Sequence, residues 1–201
     1  IVLPEMLYER IEEVTERVDA NDNIIVPLDL DDLKPRLQSA YDDGIRAIAI
    51  VLMHGYRVTT HEEKIAALAK TIGFSQISTS HATSPMIKFV GRGDTTVADA
   101  YLSPILRRYI DHLATDLDGS AQTKLQMMQS NGGLTDAALF QGKDAILSGP
   151  AGGIVGAVKT AKQAGFDKVI TFDMGGTSTD VAHHDGGYER VFDTMVAGVR
   201  I

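Results

Sequence analysis

The 201-residue sequence contains no cysteine and no tryptophan. The lack of cysteine rules out a disulfide framework and thiolate metal sites, and it fits a reducing compartment such as the cytoplasm. Basic residues are scarce too: 19 Lys and Arg stand against 27 Asp and Glu, a formal charge of −8. A nucleic-acid face needs clustered Lys and Arg to neutralise phosphates, and no such run exists, so nucleic acid is not an expected partner. Long apolar runs are also missing. None approaches the roughly 20 residues that cross a bilayer, so no membrane association is expected. The opening Ile1-Val2-Leu3-Pro4-Glu5 lacks the basic start and apolar stretch of a signal peptide. With no initiator Met and no tail after Ala197-Gly198-Val199-Arg200-Ile201, the chain reads as an internal piece of something longer.

What remains is an ordinary globular composition, 44% hydrophobic and 23% charged, enough for one core or two small ones. Residues 4 to 20 fit helical and alternating patterns about equally. The Ala20-Asn21-Asp22-Asn23 turn followed by Ile24-Ile25-Val26 favours a hairpin. From Asp29 to Tyr41 the apolar residues Leu30, Leu33, Leu37 and Tyr41 recur at helical intervals, with Gly44 as the stop. Ile45 to Met53 is a nearly continuous apolar run, the pattern of a strand covered on both faces. Thr60-His61-Glu62-Glu63 has the form of a capping box and opens a helix carrying Ile65, Leu68, Ala69 and Ile72, and a short strand follows at Gln76 to Thr79. Helix, strand, helix, strand is the order of a parallel α/β layer.

A polar loop over His81 to Asp94 is the expected boundary, dividing an α/β segment at 1–93 from a second region at 94–201. Beyond it lies a helical pattern from Thr96 to Leu117, with Ala98, Tyr101, Leu102, Ile105, Tyr109 and Leu113 on one face and Pro104 as a kink. Then come a strand at Lys124 to Gln129, the loop Ser130-Asn131-Gly132-Gly133, a short helix near Thr135 to Phe140, and the apolar Ala145-Ile146-Leu147. A helix from Ser148-Gly149-Pro150 runs to Gly165, and a closing hairpin is expected near Asp185-Gly186-Gly187.

The stretch with the most chemistry is Ile170-Thr171-Phe172-Asp173-Met174-Gly175-Gly176-Thr177-Ser178-Thr179-Asp180-Val181. An apolar, β-branched run reads as a buried strand ending on an acid and two glycines. Gly175 and Gly176 can adopt conformations closed to other residues, so that successive N–H groups converge on a phosphate, with donors added by Thr177, Ser178 and Thr179. Asp173 and Asp180 bracket the turn, and two carboxylates beside a phosphate call for a cation between them, with Mg²⁺ the natural one. A plain tight turn is the bland alternative. The Lys-[Ser/Thr] pair of a P-loop is absent.

Other candidates carry their own alternatives. Small residues at Ser148-Gly149-Pro150-Ala151-Gly152-Gly153 let a helix N-terminus approach an anion, or let the helix pack closely on a sheet. Asn131 lies at the end of an expected strand and can orient a phosphate oxygen, or can simply make an Asn-Gly turn. His183 and His184 have no spaced partner of the metal-ligand kind and one of them must face outward, while His54, His81 and His112 read as structural. Arg92, in Gly91-Arg92-Gly93, reads as a solvated loop residue.

The turn resembles the phosphate-binding hairpin of the actin, sugar kinase and heat-shock chaperone ATPase superfamily. Asp-Met-Gly-Gly-Thr-Ser-Thr-Asp together with the upstream Ser148 to Gly153 segment resembles the hydantoinase A/5-oxoprolinase family. Tyr8-Glu9-Arg10, Glu16-Arg17-Val18-Asp19, Ala100-Tyr101-Leu102 and Gln129 to Gly133 extend that resemblance over essentially the whole chain. It implies an actin-like (ribonuclease H-like) ATPase lobe with a mixed sheet, preceded by a smaller α/β segment. It implies ATP and Mg²⁺ as cofactors, with Asp173 and Asp180 at the metal and positioning water. Gly175, Gly176, Thr177, Ser178, Thr179, Gly149 and Asn131 would lie at the nucleotide. The implied reaction is ATP-dependent opening of a hydantoin or 5-oxoproline ring through phosphorylation of the ring carbonyl oxygen and attack by water. The implied partners are a cyclic amide substrate, the remainder of the parent chain and a hydantoinase B-like subunit. A phosphate loop near the family's N-terminus is absent here, so the isolated piece is expected to be inactive. The β-type subunits of acetone and acetophenone carboxylases resemble the same family, and a scaffold with a vestigial turn is a third reading.

Overall fold

The computed structural model describes residues 6–117, 124–189, 191, 194–196 and 198–200. Contacts group the chain into two units, residues 1–108 with 193–201 and residues 109–192.

In the first unit, β1 (Arg17–Val18) and β2 (Ile24–Val26) form the expected hairpin, much shorter than the residue 4–20 pattern allows. Its turn is made by Asp19, whose carboxylate accepts from the backbone of Asn21 and Asn23. Helix α1 (Leu30–Asp42) begins at Asp29, whose Oδ1 accepts from Asp32 N at 3.0 Å, and ends before Gly44 at φ +98°. Pro35 is tolerated inside it. Strand β3 (Ala47–Ile50) leads through a turn to α2 (Thr60–Ile72), and β4 (Gln76–Thr79) returns parallel to β3, in register Ala47 to Gln76. The core is Leu33, Leu37, Ala40, Ile50, Ile65, Ala69 and Phe74, as the helical and strand periodicities require.

The polar residues depart from expectation. Glu62 caps nothing: Thr59 precedes α2 without a side-chain cap bond, and Glu62 is fully buried. Its Oε1 accepts from Leu52 N at 2.9 Å and Ser80 Oγ at 2.5 Å, and its Oε2 accepts from His81 N at 3.0 Å. His81 Nδ1 lies 2.8 Å from the same oxygen. The expected loop from His81 to Asp94 is mostly helix, α3 (Ser80–Thr83) followed by α4 (Phe89–Leu117). Arg92 is therefore a helical residue, 1% exposed, and not a solvated loop residue. It donates from Nε to Ser80 Oγ at 2.9 Å, from Nη1 to Met86 O at 2.6 Å, and from Nη2 to Leu52 O at 2.5 Å and Met53 O at 3.1 Å. Burial pushes its guanidinium below the ordinary value, and the Glu62 charge opposes that shift. The buried residues of α4 therefore include the polar Arg92, Thr96, Asp99 and Ser103 beside Ala98, Ala100 and Ile110, while Tyr101, Ile105 and Tyr109 of the expected apolar face are exposed.

In the second unit, β5 (Gln126–Met128) pairs antiparallel with β6 (Leu134–Asp136). The expected helix at Thr135 to Phe140 is this strand plus a 3₁₀ turn at Ala137–Leu139, because Asp136 accepts from Ala138 N at 2.9 Å and turns the chain. The Ala145-Ile146-Leu147 segment ends α5 (Gly142–Ala145), with Leu147 in the left-handed region at φ +57°. Helix α6 (Ser148–Gln163) follows and stops before Gly165, φ +89°. Strands β7 (Lys168–Met174) and β8 (Thr179–Asp185) form a regular antiparallel hairpin against α6. Gly186 has φ +88°, but the last hairpin lies further on, where β9 (Met195–Val196) pairs with β10 (Val199–Arg200) across Gly198 in the first unit. Every sheet among the described residues has two strands.

Candidate functional site

Hairpin register decides which side chains meet. In β7 and β8 the partners are Met174 with Thr179, Asp173 with Asp180, Phe172 with Val181 and Thr171 with Ala182. Directly opposed residues of an antiparallel pair share a face, and faces alternate along the strand. Asp173 and Asp180 therefore stand side by side, on the same face as Thr171 and Ala182. Like charges so placed repel, which disfavours the bare pair and favours a cation held between them.

That face borders a groove of about 410 Å³. One wall is α6, through Pro150, Gly153, Ile154 and Ala157; the other is the hairpin, through Val169 to Asp173 and Asp180 to Ala182. Gly153 lets the wall stay low, since a Cβ there would meet nothing within 4 Å. In the sequence these helix residues are foreshadowed only by the small residues of the Ser148 to Gly153 segment. Gly149 precedes the wall residues and likewise faces open space, at the first turn of a helix with no side-chain cap.

The turn at the groove's end is Gly175-Gly176-Thr177-Ser178, closed by a bond from Gly175 N to Ser178 O at 3.0 Å. The N–H of Gly175 is thus spent on the turn, whereas among the described residues those of Gly176, Thr177 and Ser178 meet no protein acceptor. Neither glycine takes a positive φ, contrary to the expectation that the turn uses their conformational freedom. Their value is spatial. A Cβ on Gly176 would meet nothing within 4 Å and one on Gly175 only Ser178 O at 3.9 Å, so the bare backbone leaves room for an external group to come close. Open space, exposed amides and neighbouring hydroxyls suit a phosphate, and the opposed carboxylates suit a divalent cation. Among the described residues no group of three or more His, Asp or Glu converges, so such a cation would take the rest of its shell from water and phosphate oxygens.

Asn131 is not brought to this groove. Its Oδ1 accepts from Gly133 N at 2.7 Å within the β5–β6 turn, where Gly132 has φ +82°. A Cβ on Gly132 would lie 3.0 Å from Val155 Cγ2, so the loop packs against α6. Of the two neighbouring histidines His184 is buried, edge-on to the Tyr188 ring with centroids 5.1 Å apart, and His183 is exposed, the alternation expected of a strand.

Comparison with known proteins gives one consistent picture. The family model described as hydantoinase/oxoprolinase matches residues 92–201, and the model of the hydantoinase/oxoprolinase N-terminal region matches residues 1–73. The 5-oxoprolinase 1 of Arabidopsis thaliana is 40% identical over 222 residues, covering 100% of this chain and 18% of the relative. The crystal structure of ATP-dependent caprolactamase from Pseudomonas jessenii superposes with a TM-score of 0.73 at 30% identity, over 85% of this chain and 25% of that one. The nucleotide-free structure of acetone carboxylase shares the fold, with a TM-score of 0.82 at 23% identity over 94% of this chain and 28% of that one. The chain thus spans about a fifth of the length of the curated relatives it matches.

Proposed function

The chain belongs to the hydantoinase/oxoprolinase family, and we propose that it is part of an ATP-dependent enzyme that opens cyclic amides of the hydantoin or 5-oxoproline type. The observation that carries this reading is the acid-bracketed turn with open space over Gly176. The names of the relatives, 5-oxoprolinase and ATP-dependent caprolactamase, support the reaction class.

An unactivated ring amide is a poor electrophile with a poor leaving group. ATP, when bound, supplies the phosphoryl group that makes a ring carbonyl susceptible to water. The chain's own part is placement and charge. The N–H groups of Gly176, Thr177 and Ser178 and the hydroxyls of Thr177, Ser178 and Thr179 hold phosphate oxygens, and Gly175 fixes the turn that presents them. Asp173 and Asp180 hold Mg²⁺ and orient water. Gly149, in the first turn of α6 just ahead of the groove residue Pro150, would let the bare helix end come near the nucleotide. Asn131 acts in this scheme only by holding the β5–β6 loop against α6. Holding reacting groups in position is where most of the catalytic gain in phosphoryl transfer arises.

The test is ADP release by the full-length parent, with a hydantoinase B-like subunit added, in Mg²⁺ and in chelator. Stimulation by 5-oxoproline, a hydantoin or an N-methylated hydantoin supports the reading and names the ring. Stimulation only by acetone with bicarbonate replaces it with ketone carboxylation, and no release under any condition leaves a scaffold.

A further inference from the structure

Strands β3 and β4 run parallel and end at Ile50 and Thr79, and the segments that follow them carry Leu52 and Ser80-His81 to one buried carboxylate, that of Glu62. Open α/β sheets bind their ligands outside the carboxyl ends of parallel strands. His81 is held there at two points, its backbone N–H donating to Glu62 Oε2 at 3.0 Å and its ring Nδ1 lying 2.8 Å from the same oxygen. A carboxylate oxygen only accepts, so the proton between them belongs to Nδ1, and Nε2 of the neutral ring carries the lone pair. Among the described residues Nε2 has no protein partner, and no buried polar side-chain atom lacks one, so Nε2 opens to the surface.

The other histidine paired with a carboxylate, His61 with Glu16 at 2.8 Å, has a side chain 3% exposed against 18% for His81. The support behind His81 is fully internal. Ser80 Oγ donates to Glu62 Oε1 and accepts from Arg92 Nε, and Arg92, with the Tyr56 ring 5.4 Å from its guanidinium carbon, ties down the carbonyls of Leu52 and Met53. Glu62, Ser80 and Arg92 are all buried, so of these four side chains only that of His81 reaches outward. An imidazole whose tautomer is fixed by a carboxylate and whose second nitrogen is free has the arrangement of a general base.

We propose that His81 is the base of a ligand site in the first unit, at the carboxyl edge of the β3–β4 pair, and that the site takes the ring N–H of a cyclic amide or imide. The choice of ligand rests on the ring-opening reading; the site itself uses none of the residues of the β7–β8 hairpin. Nε2 accepts the ring N–H and then takes its proton. The N–H bond breaks, its electron pair spreads onto the ring carbonyl oxygen, and the imidazolium so formed is stabilised by the adjacent Glu62 carboxylate. The oxygen that gains the charge is the atom that the reading has phosphorylated.

The test is calorimetric titration of the full-length parent with hydantoin, 5-oxoproline and a hydantoin methylated on both nitrogens, with and without a non-hydrolysable ATP analogue. Hydantoin or 5-oxoproline should bind in at least one condition, and the dimethylated ring, which has no N–H, should not. His81→Asn keeps a donor for Glu62 near the Nδ1 position and lacks Nε2, so it should fold and bind the ring about tenfold or more weakly. Undiminished binding in that variant, equal binding of the dimethylated ring, or no binding of any ring to the wild type would overturn the proposal. A readout that needs no variant is carbethoxylation of the wild type by diethyl pyrocarbonate, located by peptide mass spectrometry: His81 should react, and saturating hydantoin should protect it. Modification of His81 undiminished by hydantoin would also overturn the proposal. Ring binding lost in His81→Asn, with no ring-stimulated ADP release by the wild type, would support this site and remove the ring-opening reading. Ring-stimulated ADP release with an unchanged KM for the ring in His81→Asn would do the reverse.

Discussion

Asp173 and Asp180 face each other directly across the β7–β8 ladder, with Phe172 and Val181 as the next pair inward. Two carboxylates in that relation repel each other and lower stability. Replacing Asp173 by Asn in the full-length parent should therefore separate two properties. ADP release should fall by orders of magnitude. The unfolding midpoint in chelator should stay level or rise, because removing one of two opposed like charges relieves about 0.2–1 kcal/mol. Unchanged Mg-dependent ADP release would remove Asp173 from the metal.

Gly176 offers the complementary test of the turn. A Cβ there meets no protein atom within 4 Å and the backbone φ is not positive, so Gly176→Val is expected to cost the fold little. It fills the space in which a phosphate would sit. The expected result is a raised KM for ATP with an unchanged unfolding midpoint, by steady-state kinetics and calorimetry. Normal ATP affinity in a folded variant would contradict the cradle.

Elements whose partners lie close in sequence were legible in it. Leu33, Leu37, Ile65 and Ala69 follow the helical period and are buried, and the β3–α2–β4 order gives the parallel pair it implies. The hairpin with its acids and glycines was legible for the same reason, because a turn and its flanking strands are local. The capping box read at Thr60 to Glu63 does not form, since α2 follows Thr59 with no side-chain cap bond, and the burial of Glu62 was not legible because its partners Leu52, Ser80 and His81 lie at separations no local pattern encodes. Arg92 misled through its flanking glycines, which read as loop. The helix there is held by tertiary bonds to Leu52 and Met86. Ile170 and Phe172 read as buried and are exposed.

The segment before β1 is fastened to α1 by charge, which gives a pH prediction. Arg10 Nε bonds Glu12 Oε1 at 2.6 Å and Arg36 Nη1 bonds Glu12 Oε2 at 3.2 Å. The Arg10 bond holds the Glu12 carboxyl below the usual carboxylate range, with Arg36 adding to the shift and partial burial opposing it. A carboxyl with a lowered folded pKa stabilises the fold above its unfolded value, about 4.3, and loses that contribution as the pH falls through the folded value. Glu12→Gln should thus unfold at a lower temperature than the wild type at neutral pH, and the gap should close on acidification below that range. A gap that persists in acid would show that the contribution is packing and not charge.

The most severe loss of stability is expected from the buried network of the first unit. Glu62 has no contact with solvent, accepts four hydrogen bonds if the His81 ring donates, and leaves Ser80 placed to accept from Arg92. Glu62→Gln replaces one acceptor oxygen by a donor, which faces the donors of Leu52 and Ser80 or those of His81, and strips the Arg92 guanidinium of its buried counter-charge. Removing one partner of a buried charged pair costs about 3–5 kcal/mol. Gly55 bears on the same carboxylate, since a Cβ there would overlap Glu62 Oε1. The oxygen cannot swing aside without breaking its bonds to Leu52 and Ser80, so Gly55→Ala should destabilise through Glu62 and not through its own backbone. In a double-mutant cycle read by urea denaturation, Gly55→Ala should cost far less in a Glu62→Ala background, where the space is vacated. Equal cost in both backgrounds would place the strain of the added methyl group elsewhere and leave the Glu62 carboxylate free to adjust.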